Sequence, residues 1–306
     1  MKAIVCTQYG GPEVLHLAEV PKPIPKDNEI LVRIIATSIN SGDARVRSLQ
    51  VKSGLTRLIM RLVLGISKPR KPILGTIFAG IVESVGSKVT AFKVGDKVFG
   101  MTGLKFGTYA EYIAVNQKSK VITMPANATF EEAAAIVFGG QTAIYFLERA
   151  KIAEKTNPKI LIIGATGSVG TSAIQIATYY KADITVVCST RGLQLVHELG
   201  VNNIVLYDKE EFISQTERFD IIFDAVGKSS KKQCEPLLNK NGIYKNVESV
   251  YAEETIQQLK LLKQLFEKGE LKAVIDKTYK MEEIIAAHRY IDSGRKKGNV
   301  VLKISE

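Results

Sequence analysis

The sequence predicts an α/β protein: a doubly wound parallel-sheet domain plus a β-rich domain built from both ends of the chain. Three observations predict this. After Pro158, short apolar strands alternate with amphipathic helices, the pattern of a parallel sheet covered on both faces. Over the first 125 residues, short apolar runs are separated mainly by Gly, Pro and Asp turns such as YGGPE, KPIPKDNE and KVGDK. The length of 306 residues is about twice a typical domain, and 45% apolar content is enough to give each domain a core.

In chain order, Ala3–Cys6, Ile30–Ile35, Ala79–Val85, Lys97–Phe99 and Ala110–Val115 read as strands of the β-rich domain. The stretch from Ser48 to Pro72 differs: Leu55, Leu58, Ile59, Leu62 and Val63 recur at helical spacing, which predicts an amphipathic helix. A second helix is expected after Thr129, whose hydroxyl suits an N-cap, with Glu131 and Glu132 at its positive end. It runs through AAAIVFGGQTAIYFLERA, with a break expected at Gly139-Gly140. Strands KILIIG, ITVVCS, NIVLY and FDIIFDAVG follow, with helices near SVGTSAIQIATYY and RGLQLVHELG. From Ala273 onward, a strand VIDKTY, a helix MEEIIAAHRYIDSG and a strand GNVVLKI are expected to pack back onto the N-terminal part. The expected limits are residues 1–125, 126–272 and 273–306, the first and last together forming one domain.

Composition narrows the function classes. Forty-two Lys and Arg against 31 Asp and Glu give a net charge of +11 and a pI near 9.4. The partners this favours are anions: nucleic acid, a membrane surface or a phosphorylated small molecule. The three cysteines (Cys6, Cys188, Cys234) form no C-x-x-C, and the histidines are only His16, His197 and His288, so a four-thiolate zinc site is impossible and no metal is expected. The opening MKAIVCTQYGGPEVL lacks a secretory pattern, and the longest apolar stretch, Ala133 to Leu147, is too short to span a bilayer. A cytoplasmic protein is the expectation.

The strongest chemical signal is a strand running into Gly164-Ala165-Thr166-Gly167-Ser168-Val169-Gly170, followed by an apolar-periodic helix. Gly167 would let the backbone approach a pyrophosphate, and Gly170 would let the helix pack closely on the strand. The N–H groups at the helix start would then hold the anion. Ala165 replaces the first glycine of the strict G-x-G-x-x-G form. The second strand ends in Cys188-Ser189-Thr190-Arg191 with no acid at its tip. Ser189 and Thr190 can donate hydrogen bonds and Arg191 can pair with a phosphate, so the tip favours NADPH over NADH.

With these residues in hand, the chain resembles the medium-chain dehydrogenase/reductase superfamily, and within it the zinc-independent quinone oxidoreductase branch. The resemblance is carried by GTIFAGIVESVG at 75–86, VGD at 94–96, GTYAEY at 107–112, the ATGSVG turn, FDAVG at 223–227 and the GNVVL ending. It implies a Rossmann domain and a GroES-like catalytic domain formed from both chain ends, and dimers are common in that branch. It also locates where zinc would sit in alcohol dehydrogenases: the matching positions hold Asn40 and Gly75-Thr76-Ile77, which cannot make the site, so alcohol oxidation is not expected. The branch's N-x-x-D-x-x-x-R loop appears as Asn40, Asp43 and Arg47. The resemblance places Asn40 beside the nicotinamide, with Asp43 and Arg47 either shaping the substrate pocket or pairing as ions to stiffen the loop. It further implies cofactor contacts at Thr142, Tyr207, Val226, Gly227 and Asn299. No general acid stands out: Tyr109, Tyr112 and His288 read as structural, which leaves water as the proton source.

From Ala44 to Val82 there is no Asp or Glu, while Arg45, Arg47, Lys52, Arg57, Arg61, Lys68, Arg70 and Lys71 are basic. This insertion reads as a solvated face, a lid over the substrate, or a helix resting on anionic lipid. Nucleic acid is not expected, since no aromatics are interleaved to stack bases. Three functions follow: hydride transfer from NADPH to a quinone, NADPH-dependent reduction of an α,β-unsaturated carbonyl, or a non-catalytic nucleotide-binding protein that holds RNA or a membrane through its basic helix.

Overall fold

The first apolar run lies in strand β1 (Lys2–Cys6), which pairs antiparallel with β2 (Leu15–Glu19). The computed structural model containing them describes residues 1–50 and 54–305. Next come β3 (Glu29–Ile39), α1 (Ser41–Ser48), α2 (Gly54–Leu64), β4 (Ile77–Val85), β5 (Lys97–Met101), β6 (Tyr112–Asn116), β7 (Val121–Thr123) and α3 (Phe130–Arg149). The alternating series is β8 (Lys159–Ile163), α4 (Ser168–Tyr179), β9 (Asp183–Cys188), α5 (Leu193–Glu198), β10 (Asn203–Leu206), β11 (Phe219–Asp224), α6 (Lys231–Cys234), β12 (Leu238–Asn246) and α7 (Ile256–Glu267). The chain closes with β13 (Ile275–Lys280), α8 (Ile284–Asp292) and β14 (Asn299–Lys303).

Contacts divide these into two units, Met1–Val137 with Ile275–Glu306, and Phe138–Val274. The first holds a seven-stranded sheet ordered β13-β14-β3-β4-β5-β7, with β6 also on β3. The C-terminal tail packs back as expected: β14 runs antiparallel to β3, Val300 facing Ile39 and Lys303 facing Ala36. Ile30, Val32 and Ile34 of β3, Phe78 and Val82 of β4, and Val300 and Leu302 of β14 meet Ile284 and Ala287 of α8 in one core.

The second unit is a parallel sheet ordered β10-β9-β8-β11-β12. Strands β8 to β11 read as largely apolar runs, the pattern of a parallel sheet covered on both faces. Leu161, Ile163, Val187, Val205 and Ile222 form its core with Phe219 and Leu237. Several features depart from the sequence reading, which gave no strand at β2 or β7 and no helix at α7. Strand β12 was not anticipated, because LNKNGIYKN is polar and half-exposed at the sheet edge. The break expected at Gly139-Gly140 does not occur, and α3 runs unbroken. Those glycines serve close packing: a Cβ on Gly139 would stand 2.2 Å from the Ser168 carbonyl oxygen, and one on Gly140 would meet Leu262 at 2.4 Å. The start of α3 does match expectation, since Thr129 Oγ1 accepts from Glu132 N–H while the Glu132 carboxylate accepts from Thr129 N–H.

Because Leu302 is fully buried at the β14–β3 seam, Leu302→Ala is expected to cost about 2–5 kcal/mol in chemical denaturation. Hydrogen exchange should place the lost protection in β3 and β13 and leave β8–β12 unchanged.

Candidate functional site

In the second unit, most residues expected to hold a nucleotide converge on the carboxyl ends of the parallel strands. The turn from Gly164 to Gly170 leaves β8 and enters α4; Ser189 to Arg191 follow β9, Tyr207 follows β10, and Val226 and Gly227 lie just after β11. In the observed strand order the winding reverses between β8 and β11, and ligands bind in the crevice outside the strand ends at such a point.

Each glycine of the turn has its own physical reason. Gly164 adopts φ +81°, and a Cβ there would meet the Val226 side chain at 2.4 Å. A Cβ on Gly170 would stand 2.2 Å from the Gly164 carbonyl oxygen, so α4 can lie this close to β8 only with glycine. Gly167 is different: the nearest protein atom to its Cβ would be 3.8 Å away. The protein itself does not demand glycine there, whereas an anion pressed against the backbone does. Gly167 is the N-cap of α4 and offers the first-turn N–H groups no side chain, and no acid occupies that turn. These residues fit a nucleotide pyrophosphate. Ala165 fits too, its methyl fully buried, and Thr166 packs where a Cβ on Gly192 would meet its Cγ2 at 2.5 Å.

Two carboxylates that the sequence reading passed over organise this end of the sheet. Asp224, fully buried, accepts from the N–H groups of Val226 (3.0 Å), Gly227 (2.8 Å) and Ser229 (2.6 Å). The Val226 and Gly227 amides are therefore already engaged, and a cofactor would meet the exposed Val226 side chain instead. An Asp two residues before the amide it bonds is a recognisable turn signal. The second carboxylate corrects the view that the tip of β9 carries no acid. Asp208 arrives from the end of β10 and accepts from Thr190 N–H (2.9 Å) and Thr190 Oγ1 (3.1 Å). The Thr190 N–H holds its carboxyl below the usual range. Thr190's donors are thus taken, while Arg191 is exposed, with no ion pair among the described residues. Tyr207 is 59% exposed, and Thr142 is half-buried on α3.

In the first unit, the N-x-x-D spacing proves to be a capping box. Asn40 Oδ1 accepts from Asp43 N–H at 3.1 Å, and Asp43 Oδ2 accepts from Asn40 N–H at 3.0 Å. An Asn three residues before an Asp is a capping signal legible in the sequence. Asn40 Nδ2 points to Thr76 Oγ1 at 3.4 Å. Asp43 and Arg47, expected to shape a pocket or pair with each other, do neither among the described contacts: both side chains are buried, at 1% and 2% exposure. Asp43 Oδ2 accepts from the buried Tyr109 hydroxyl at 3.1 Å, while its Oδ1 has no partner. Burial pushes its carboxyl up to about 7 against the hydrogen bonds from Asn40 and Tyr109. Arg47 instead donates to Asp292 (2.7 Å), to the Gly10 carbonyl (3.2 Å) and to His288 Nδ1 (3.0 Å). A guanidinium only donates, so Nδ1 must accept and the ring proton sits on Nε2. Burial and the Arg47 charge push His288 down to about 3, so the ring is neutral. Asn299, at the start of β14, is buried.

The residues at the zinc positions do not fit a metal. Asn40 is committed to its cap, Gly75 has no side chain, Thr76 faces Asn40, and Ile77 is fully buried in β4. Among the described residues no group of three or more His, Cys, Asp or Glu is placed to hold one. Burial pushes the Cys6 and Cys188 thiols up to about 11, away from the thiolate that a metal requires.

Residues 26–126 match the family described as alcohol dehydrogenase GroES-like domain, and residues 244–302 the family described as zinc-binding dehydrogenase. The chain is 30% identical to a 2-methylene-furan-3-one reductase of Solanum lycopersicum, covering 99% of this chain and 79% of that one. It is 28% identical to the quinone oxidoreductase of Homo sapiens over 96% and 94% of the two chains. The solved quinone oxidoreductase from Coxiella burnetii superposes with a TM-score of 0.87 at 26% identity, covering 100% of this chain and 99% of that one.

Two outcomes are expected. Gly167→Ala should fold within about 1 kcal/mol of the wild type yet lose about tenfold or more in NADPH affinity by fluorescence titration; Gly170→Ala should instead lose about 1–3 kcal/mol of stability. The second outcome concerns pH. Asp43 holds its proton in the folded state up to about 7 but loses it near 3.8 when unfolded. Its contribution is therefore present at low pH and is lost as pH rises through 7. Asp43→Asn removes this dependence while His288 titrates in both proteins. The variant should gain on the order of 4 kcal/mol relative to the wild type between pH 4 and pH 8 in denaturant melts.

Proposed function

Because this chain belongs to the medium-chain dehydrogenase/reductase superfamily, we propose that it is a zinc-independent oxidoreductase that transfers hydride from NADPH to a quinone. The observation that carries the reading is Gly167, a glycine left open at the N-terminus of α4, beside donors and a cation suited to a phosphorylated ribose. When bound, the reduced nicotinamide supplies a hydride; with one proton from water this converts a quinone to a hydroquinone. The donors at residues 40 and 75–77 provide no Lewis acid, so the acceptor must already be electrophilic.

The chain's own residues divide the remaining work. The turn at 164–170 holds the pyrophosphate, with Ser189 and Arg191 at the ribose phosphate, and Tyr207 and Val226 offering exposed apolar surface. Asn40 is the residue of the loop proposed to touch the reacting pair. Asp43 and Arg47 act as positioning residues, the first closing the capping box on Asn40 and the second fixing α1 from behind. Thr142 and Asn299 are proposed cofactor contacts.

A second reading is favoured by the tomato relative, whose name describes reduction of a conjugated carbonyl compound. NADPH oxidation measured across benzoquinones, naphthoquinones and 2-alkenals separates the two. Turnover with quinones supports the first; consumption with 2-alkenals alone rejects it, and binding without turnover on any acceptor rejects both. Stoichiometric zinc in the purified protein would overturn the metal-free assignment.

Cofactor choice is tested at the tip of β9. Arg191→Ala should raise the KM for NADPH about tenfold, the value of one charge-assisted bond, and leave NADH nearly unchanged. Asp208→Asn should lower the KM for NADPH by about fivefold, since it removes a like charge beside the 2′-phosphate. Equal effects on both cofactors would sink the assignment.

A further inference from the structure

Helix α2 displays an apolar face that nothing among the described residues covers. Leu58, Ile59, Leu62 and Val63, spaced i, i+1, i+4 and i+5, lie on one side of it, and Ile66 follows just beyond. All five are 52 to 63% exposed. The C-terminal end of the helix is held in place: Tyr9 donates its hydroxyl to the Gly65 carbonyl at 2.8 Å, and Arg70 N–H donates to the Leu64 carbonyl at 2.7 Å. The exposed apolar row is therefore presented outward by an anchored element. Single exposed apolar residues are ordinary, but a contiguous row with a polar rim marks an interaction site.

The rim has one sign. Arg61, Lys68, Arg70 and Lys71 are exposed, and no Asp or Glu occurs from Ala44 to Val82. Arg61 and Arg70 both lie within electrostatic reach of the Tyr9 hydroxyl, so they share one flank. Lys71 Nζ donates to the Lys105 carbonyl at 3.3 Å, which brings the turn Gly103–Lys105 to the same flank, with Leu104 61% exposed. Lys52 lies outside the described residues.

We propose that α2 and the segment after it seat the protein on the surface of an anionic phospholipid bilayer. Charge complementarity selects this occupant. An apolar row about 12 Å long bordered by cations matches the boundary between acyl chains and anionic headgroups, where the row dips among the chains and the cations meet phosphates. A second copy of this chain would bring an identical positive rim against the first, with repulsion in place of attraction. A nucleic acid would leave the apolar row unsatisfied and finds no aromatic ring between Ser48 and Leu74 to stack on. The contact is peripheral: no helix among the described residues is long and apolar enough to cross a membrane. The inference stands independently of which acceptor is reduced.

The test is co-sedimentation of the whole protein with vesicles of phosphatidylcholine alone and of phosphatidylcholine mixed with phosphatidylglycerol. Binding to the mixed vesicles only, weakening with added salt, is expected. Arg70→Gln with Lys71→Gln should lower that partitioning by about fivefold per charge, and Leu58→Ser with Leu62→Ser should abolish it without changing the melting temperature. Absence of binding to the mixed vesicles, or equal binding to both kinds, overturns the proposal. So does binding that survives both double variants. A concentration-dependent dimer in sedimentation velocity that Leu58→Ser with Leu62→Ser dissolves would assign the face to a second copy. Retention on single-stranded RNA that outcompetes mixed vesicles would assign it to nucleic acid, and either result overturns the lipid assignment.

Discussion

A cation buried to 2% exposure imposes the strictest condition on the first unit. Arg47 cannot lose its proton, so its guanidinium must find acceptors wherever the chain can bring them. It finds them on segments far apart in sequence: the carbonyl of Gly10 after β1, and His288 and Asp292 on α8. Gly10 N–H returns a bond to the Arg47 carbonyl, so the link is reciprocal. Breaking a buried charge pair on one side typically costs about 3–5 kcal/mol, and the partial exposure of Asp292 puts this one toward the lower end. The same bond dictates the tautomer of His288, and the helix that carries Arg47 begins at the Asn40 cap. The position of the candidate catalytic loop is thus an outcome of where one charge is stored.

Local spacing and strand register are written into a sequence in different ways. Features set by local spacing were readable: the strand–turn–helix at 159–179, the Thr129 cap, the amphipathic run that became α2, and the return of the tail. Features set by register between strands were not. Asp208 reaches Thr190 because β10 pairs with β9 so that Leu206 faces Cys188, and no local period encodes that pairing. Strand β12 escaped notice because an edge strand need not be apolar. Asn40 and Asp43 show a third case, in which the spacing was seen but one pattern carries two meanings. An Asn three residues before an Asp caps a helix whatever else it does, and the burial of Asp43 moves its part in the site from contact to support.

The excess positive charge resolves into separate addresses with different physics. At the tip of β9 a single exposed Arg191 follows Thr190, whose donors Asp208 occupies, so a ligand proposed there would compete with Asp208 for Thr190. On α2 the charge is spread along a rim and works together with apolar surface. The first address selects by geometry at atomic spacing; the second selects only by sign and by the presence of an oily interior. A reductase with both could draw its electrons from a water-borne carrier and deliver them to an acceptor dissolved in lipid.

The return of β14 to β3 bears on how the protein is made. Ser305 Oγ donates to the Ile34 carbonyl across 271 positions of sequence, and β14 fills the place between β3 and β13 in the first sheet. During synthesis the second unit has all of its strands before β14 exists, while the positions of β3 that will receive β14, Ala36 to Ile39, lack that partner. An unpaired strand segment is the kind of template on which nascent chains mispair. A ribosome must therefore carry the half-built first unit through the whole translation of the second, and the interval before β14 emerges is when this protein most needs a chaperone.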